Sequence, residues 1–428
     1  MINFHPQHLE LHQEIHARPH PSIKSPCVVS HIAFFHANKS VENEYHALNE
    51  LARKFQVNGV TQSSNSYFQD FGQFELRWEN HREFSTITVI RQVKEENINE
   101  KALDVFPKDW LKQFPGEAIS ACHVAISQIS SQISSEQSVK NKVENLLGSS
   151  AKVACHIAKN QASLWSSLQL DNYGFNQFVI DAKSESPSQI GRTLLIVLEI
   201  ETYRQMALLA LPVAKSIAPQ ATKLGQQCAK ILGKIAKISD ATSENKLLQE
   251  LTDVAAEVER LRASSSYRFS ATRAYSELVN SRLDELNQEP ISGKDMLGEF
   301  LQRRFMPAIR TCASVSLQLE SLSKRLTRAS DLLRTRVDQT IAEQNQKLLE
   351  SMNHRSHMQL RLQQTVEGLS VAAISYYLIS LIKIVLHGFS EEFFHVNENL
   401  VLVVISPVVL LTIFIIVRNM KKHYVDDA

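Results

Sequence analysis

Residues 366–386 read VEGLSVAAISYYLISLIKIVL, and after a short acidic stretch residues 400–417 read LVLVVISPVVLLTIFIIV. At about 1.5 Å of rise per helical residue, either run can cross a hydrocarbon core of roughly 30 Å. The pair predicts two C-terminal transmembrane helices. Residues 387–399 between them carry Glu391, Glu392 and Glu398 and no Lys or Arg, while Arg355 and Arg361 precede the first run and Arg418, Lys421 and Lys422 follow the second. The positive-inside rule then places both termini in the cytoplasm and the loop outside.

The rest of the chain divides by pattern. Residues 1–185 alternate strand-like and helix-like stretches and predict a cytoplasmic α/β or α+β domain. Residues 27–35 form an apolar strand, and residues 41–55 an amphipathic helix with Ala47, Leu48, Leu51 and Ala52 on one face. Residues 74–78 alternate apolar with polar, 79–82 are a polar turn, and 84–89 return as a Thr/Ile/Val run, which is a hairpin. Further strands are expected at 118–129, 151–157, 164–168 and 175–180, with a helix at 138–147 and a short helix at 6–17. Residues 186–290 form a helical region, in which Pro212 and Pro219 bend or split a long segment. Residues 291–365 form a long stalk helix, 366–386 the first span, 387–399 the external acidic loop, 400–417 the second span, and 418–428 a basic tail.

Along the stalk, Phe305, Ala308, Cys312, Val315, Leu319, Leu322, Leu326, Ala329 and Leu333 step by threes and fours, a coiled-coil-like seam that calls for a partner helix. That partner is either another helix of the same chain or the same helix of a second subunit. Beyond Ile341 the seam gives way to Gln344, Asn345, Asn353, His354, Gln359 and Gln363, which burial in an apolar core does not explain. Either a solvated stalk or a ring of subunits around an aqueous path accounts for it.

Charge and motif exclude several classes. The 46 basic residues are matched by 45 acidic ones, so no general field draws nucleic acid. No G-x-G-x-x-G occurs, and Gly293 and Gly298 have phosphate-loop spacing but are followed by Glu299 where the phosphate-binding Lys must stand. No G-x-S-x-G elbow occurs either. The five cysteines are scattered and read as reduced core residues. The N-terminus lacks a signal-peptide pattern. No catalytic residue, cofactor-binding residue or cofactor is expected, apart from a divalent metal.

Seven of the 16 histidines fall within the first 36 residues, and His8, His12 and His16 make one stripe on a helix. In HQEIH the acid Glu14 stands at the wrong offset for a zincin, which leaves His8, His12 and His16 as a candidate non-catalytic metal site. In an oligomeric channel, Gln359, Gln363 and Tyr376 are the candidates to face the axis, and Glu391 and Glu392 to ring the outer mouth.

Four passages together resemble the bacterial domain-of-unknown-function family 3422, described as predicted membrane-anchored proteins. They are LHQEIHARP (11–19), RWENHREF (77–84), LEIETYR running into ALLALP (198–212), and VEGLSVAAISYY (366–377). The resemblance implies a bacterial inner-membrane protein and carries no mechanism. In layout the chain is also similar to CorA-type magnesium channels, which place a Gly-Met-Asn motif at the outer end of the first span. Here that place reads HGFS (387–390), with the glycine retained and the Asn missing. The leading expectation is a non-enzymatic inner-membrane protein with both termini cytoplasmic, held in the bilayer and acting through protein contacts or assembly. The alternatives are a homo-oligomeric CorA-like divalent-cation channel or transporter, and metal sensing through the histidine stripe.

Overall fold

The computed structural model describes residues 4–9, 12, 20–36, 41–62, 64–129, 136–183, 186–235, 241–390 and 398–426. Two compact units result, one of Met1–Ile238 with Leu247–Ser330 and one of Ser239–Lys246 with Asp331–Ala428.

The first unit is a mixed α/β sheet domain continued by long helices. In chain order it contains β1 (Cys27–Phe35), α1 (Glu42–Phe55), β2 (Ser66–Asp70), β3 (Glu75–Asn80), β4 (Phe84–Gln92), α2 (Lys108–Gln113), β5 (Glu117–Ser127), α3 (Glu136–Leu147), β6 (Val153–Ile157), β7 (Ala162–Leu170) and β8 (Asn176–Ala182). Then follow α4 (Pro187–Leu208), α5 (Ala210–Ile235), α6 (Ala241–Glu285), β9 (Glu289–Pro290), α7 (Leu297–Arg304), α8 (Met306–Ser390) and α9 (Glu398–Asp426). The strands form one sheet in the order β2-β3-β4-β1-β5-β8-β7-β6-β9. Only the β5–β8 pair at its centre is parallel.

Period-two alternation sends each strand's residues to opposite faces. Val28, Ile32, Phe34, Leu76, Trp78, Ile87 and Val89 pack with Leu48 and Leu51 of α1 and Trp110 of α2. Cys27, Val29, Ile90, Cys122 and Val124 pack on the other face with Ile190, Leu194, Val197 and Leu198 of α4. The hairpin expected at 74–89 is β3–β4, and the expected strands at 27–35, 118–129, 151–157, 164–168 and 175–180 are β1, β5, β6, β7 and β8. The described part of the N-terminal segment expected as a helix at 6–17 is confined to residues 6–9 and 12.

Helix α4 packs on the sheet within the same compact unit, across the boundary expected at residue 185. It ends at Leu208 because Pro212, four residues on, has no N–H to offer the Leu208 carbonyl. Pro212 itself lies in the first turn of α5, where no donor is needed, and Pro219 sits inside α5. Gly191 is required by packing: a β-carbon there would lie 1.6 Å from the Pro21 carbonyl oxygen, where residues 20–26 cross the first turn of α4.

Helices α5, α6 and α8 supply each other's partners. Of the seam read in the sequence, Phe305, Cys312, Val315, Leu319, Leu322, Leu326 and Ala329 are buried. Gly225 of α5 faces Leu322, and Arg262 of α6 donates to the Ser323 hydroxyl at 3.1 Å. The seam is satisfied within one chain over this stretch.

In the second unit α8 continues unbroken to Ser390, and every side chain from 341 to 366 is exposed. Among the described residues one helix is long and apolar enough to cross a membrane, the one ending at His387, and its apolar window is 6 % buried. The second expected span is not confirmed as such. Among the described residues the apolar part of α9 is the shorter stretch Leu402–Val417.

One buried polar contact ties α1 to the sheet. Trp78 Nε1 donates to Glu44 Oε2 at 2.7 Å, with Glu44 1 % and Trp78 0 % exposed. Burial raises the Glu44 carboxyl, against the pull of the Trp78 and Ser85 hydrogen bonds and the His36 charge. Removing the indole donor takes from the buried carboxyl its Trp78 bond, so Trp78→Phe is expected to cost about 1–3 kcal/mol in chemical unfolding followed by circular dichroism. Adding Glu44→Leu should recover part of that loss. A double variant no more stable than Trp78→Phe alone would contradict this account.

Candidate functional site

A cavity of about 40 Å³ lies between α4 and the face of the sheet made by β3, β4 and β1. Its walls are mostly apolar, with polar residues set into them at defined positions. On β3, Arg77 and Glu79 alternate with the core residues Leu76 and Trp78, and on β4, Thr86 and Thr88 alternate with Ile87 and Val89. On α4, Glu199 interrupts the apolar run 194–200 and Thr202 follows it. His31, at the centre of β1, stands opposite Thr88 in the register and closes the floor.

His31 is held by both ring nitrogens, Nδ1 at 2.8 Å from Thr88 Oγ1 and Nε2 at 3.0 Å from Thr202 Oγ1. Burial lowers its pKa to about 4, so the imidazole is neutral at pH 7. One of its nitrogens therefore accepts, and one of the two threonines spends its proton on it. Burial raises the Glu199 carboxyl, and the nearby Glu79 charge adds to this, while Arg282 of α6 opposes it. Arg282 bridges Glu199 and Glu285. Arg77 lies 3.4 Å from Glu75 and 3.9 Å above the Phe68 ring. His81 stacks on Phe84 with centroids 4.4 Å apart, and its Nε2 is 3.9 Å from Glu79.

At the edge of this region, Glu83 is 5 % exposed and pairs with Arg268 of α6 and with the Tyr275 hydroxyl at 2.9 Å. That contact pins the β3–β4 turn to the helical layer. Burial, together with Glu83, pushes the Tyr275 phenol up.

The residues singled out from the sequence lie elsewhere. His8 is exposed and stacks on Phe4 at 4.7 Å, His12 is exposed, and His16 lies outside the described residues. Among the described residues no group of three or more His, Cys, Asp or Glu side chains is arranged to hold a metal ion. Gln359 and Gln363 sit one turn apart on the exposed part of α8. Tyr376, 69 % exposed, is about 100° around the helix from Gln359 at 100° per residue, so the three do not share one face. Glu391 and Glu392 lie outside the described residues. The cleft was missed because its histidine is a single residue inside an apolar strand. The signal available was a charged residue within an apolar run, at Glu199.

The fold and this cleft define a mixed α/β sheet domain with a small cavity against one sheet face, in a chain that among its described residues has one helix long and apolar enough to cross a membrane. A family model described as "Protein of unknown function (DUF3422)" matches residues 3–424, and the chain belongs to that family. Two of the passages that carry the resemblance, 77–84 and 198–204, line opposite walls of the cavity, and a third ends two residues before its Pro21. No curated protein and no solved structure matches the chain. Neither comparison shows a similarity to CorA-type channels.

The buried neutral His31 gives a pH test. Its folded pKa is about 4 against 6.5 when free, so the unfolded chain takes the proton first as pH falls. The stability it contributes is present above pH 6.5 and is lost towards pH 4, about 3 kcal/mol in all. Glu199, with its carboxyl held up, works in the opposite sense and is common to wild type and variant. Unfolding midpoints measured across this range should therefore fall less steeply for His31→Gln than for the wild type, and parallel curves would refute the assignment.

Proposed function

We propose that the protein is a non-enzymatic bacterial inner-membrane protein that acts by assembling through its long helix, with both termini cytoplasmic and a two-span C-terminal anchor. The observation that carries this reading is α8 itself. A helix exposed on all sides from 341 to 366 and continuous with an apolar segment finds no burial in its own chain. Ile341, Leu348, Leu362 and Leu369 recur at multiples of seven, with Val337, Met358 and Ala372 on the adjoining line. That is a seam a second copy can cover, and burying a leucine contributes about 1.5–3 kcal/mol. Gln344, Ser351 and Arg355 interrupt the seam and fix register rather than add stability.

The anchor reading rests on charge placement. Glu367 and Lys383 lie about 24 Å apart along the helix, near opposite faces of a hydrocarbon core of roughly 30 Å. Lys383 reaches the headgroups by snorkelling. The shorter apolar part of α9 completes the hairpin, with Pro407 tolerated where neighbouring helix satisfies the freed carbonyl.

The test is the mass of the full-length protein in lipid nanodiscs, corrected for lipid, for the wild type and for Leu348→Asp/Leu362→Asp. An assembly that falls to monomer in the variant supports the reading, and a wild-type monomer refutes it. A ring that passes divalent cations, with flux lost when Glu391 and Glu392 are neutralised, would establish the channel instead. Zinc or nickel binding lost in His12→Ala/His16→Ala would establish metal sensing. Topology is read in intact cells: Asn399→Cys should react with a membrane-impermeant maleimide from outside, and Asp426→Cys should not. The five native cysteines are buried and do not interfere.

A further inference from the structure

We propose that a second cavity, between the β6–β7 turn, the first turns of α4 and the end of α6, binds a small organic oxyanion, with Lys159 and Arg192 as its charged donors. This cavity measures about 310 Å³, at the lower end of the range of about 300–1,000 Å³ in which small-molecule sites fall. Lys159 and Gln161 line it from the turn, Gln189 and Arg192 from α4, and Glu285 and Asn287 from the end of α6, over a base of Ile196 and Leu286. The turn is held in place by the protein itself. Ala158 N donates to the Leu286 carbonyl at 2.9 Å and Gln161 N to the Ala158 carbonyl at 3.2 Å, which fixes the backbone that carries Lys159.

The charges on these walls are unevenly satisfied. Lys159 has no ion-pair or hydrogen-bond partner among the described residues. Arg192 makes no hydrogen bond among them and meets a carboxylate only at 3.9 Å, on Glu285. Glu285 is itself bonded by Arg282 of α6, so its charge is already compensated. Lys183, beside the turn, bonds to the Asn160 amide oxygen at 3.1 Å and to His156 Nδ1 at 3.3 Å, and meets no carboxylate among the described residues. The Gln161 amide oxygen accepts from Gln189 Nε2 at 3.3 Å, which leaves the Gln161 amino group free to donate. The N-terminal end of α4 adds the positive pole of a 22-residue helix. The cavity is therefore positive and holds unused donors, and the complement of such a lining is a carboxylate or a phosphate.

Competing ligands fit less well. An organic cation would meet Lys159 and Arg192. A divalent metal also lacks ligands, since among the described residues no group of three or more His, Cys, Asp or Glu is arranged to hold one. An apolar molecule would strip water from two charges and the Gln161 amide and put nothing in its place. A long polyanion such as nucleic acid calls for an extended excess of cations, and here 46 basic residues are matched by 45 acidic ones. Ile196 and Leu286, both buried, give a short carbon chain an apolar base to rest on. This inference concerns the first compact unit and stands or falls independently of the assembly proposed for α8.

The experiment uses full-length protein in detergent, with glycerol 3-phosphate, glycerate and glycerol as probes at equal ionic strength. The three share a carbon skeleton and differ in headgroup. Thermal unfolding and titration calorimetry are the readouts. At least one of the two anions is expected to raise the unfolding temperature with saturation, and which one does so identifies the headgroup, whereas glycerol leaves the temperature unchanged. In Lys159→Gln and in Arg192→Gln the apparent affinity should fall about tenfold or more, as expected when a charge-assisted contact is lost. Both side chains are exposed, so neither change removes core packing. No saturable effect of either anion, an equal effect of glycerol, or wild-type affinity in either variant would each overturn the proposal.

Discussion

Burial of α4 between the sheet and the outer helices is the constraint on which the first compact unit depends. Ile190, Leu194, Ile196, Val197, Leu198, Ile200 and Ala207 join one core with strand residues such as Val29, Val124 and Phe178, and with Val279, Leu283, Leu301 and Phe305 of the helices beyond. A helix apolar on most sides has this position open to it in a soluble domain. Each such side chain contributes about 1.5–3 kcal/mol when taken out of water. The same burial makes its polar residues consequential. Thr202 and Glu201 are each 2 % exposed and must find partners in the protein, which Thr202 does at His31 and Glu201 at Arg204.

Local pattern made much of the sheet legible. The run CVVSHIAFF has apolar residues on both faces, as a strand buried on both sides must, and it became β1 at the boundaries expected. The β3–β4 hairpin was legible because its turn is polar and its strands alternate. β2, Ser66–Asp70, was not, because SYFQD presents one buried position in five and its identity as a strand comes from pairing with β3. β9 is two residues long and exists only through its pairing with β6. Pro212 marked a break correctly, and the structure adds where it falls: four residues upstream, at the acceptor it leaves without a donor.

The cleft was far less legible than the fold. Its residues come from β1, β3, β4 and α4, and proximity among them depends on the strand order β3-β4-β1, which no local pattern encodes. The histidines that drew notice were numerous and regularly spaced, yet His31 is set apart only by its surroundings: an apolar strand, two threonines and a tertiary partner 171 residues away. Sequence reasoning also gave the two apolar C-terminal runs equal standing. One run lies in the helix long and apolar enough to cross a membrane, while the described apolar part of the other is the shorter Leu402–Val417.

The two ends of the sheet have a bearing on how this molecule can meet others. At one edge β9 presents Pro290, which has no N–H for an incoming strand, and at the other β2 is five residues long and ends in Gln69 and Asp70. Short, polar or proline-bearing margins resist strand addition and the fibrillar stacking that follows from it.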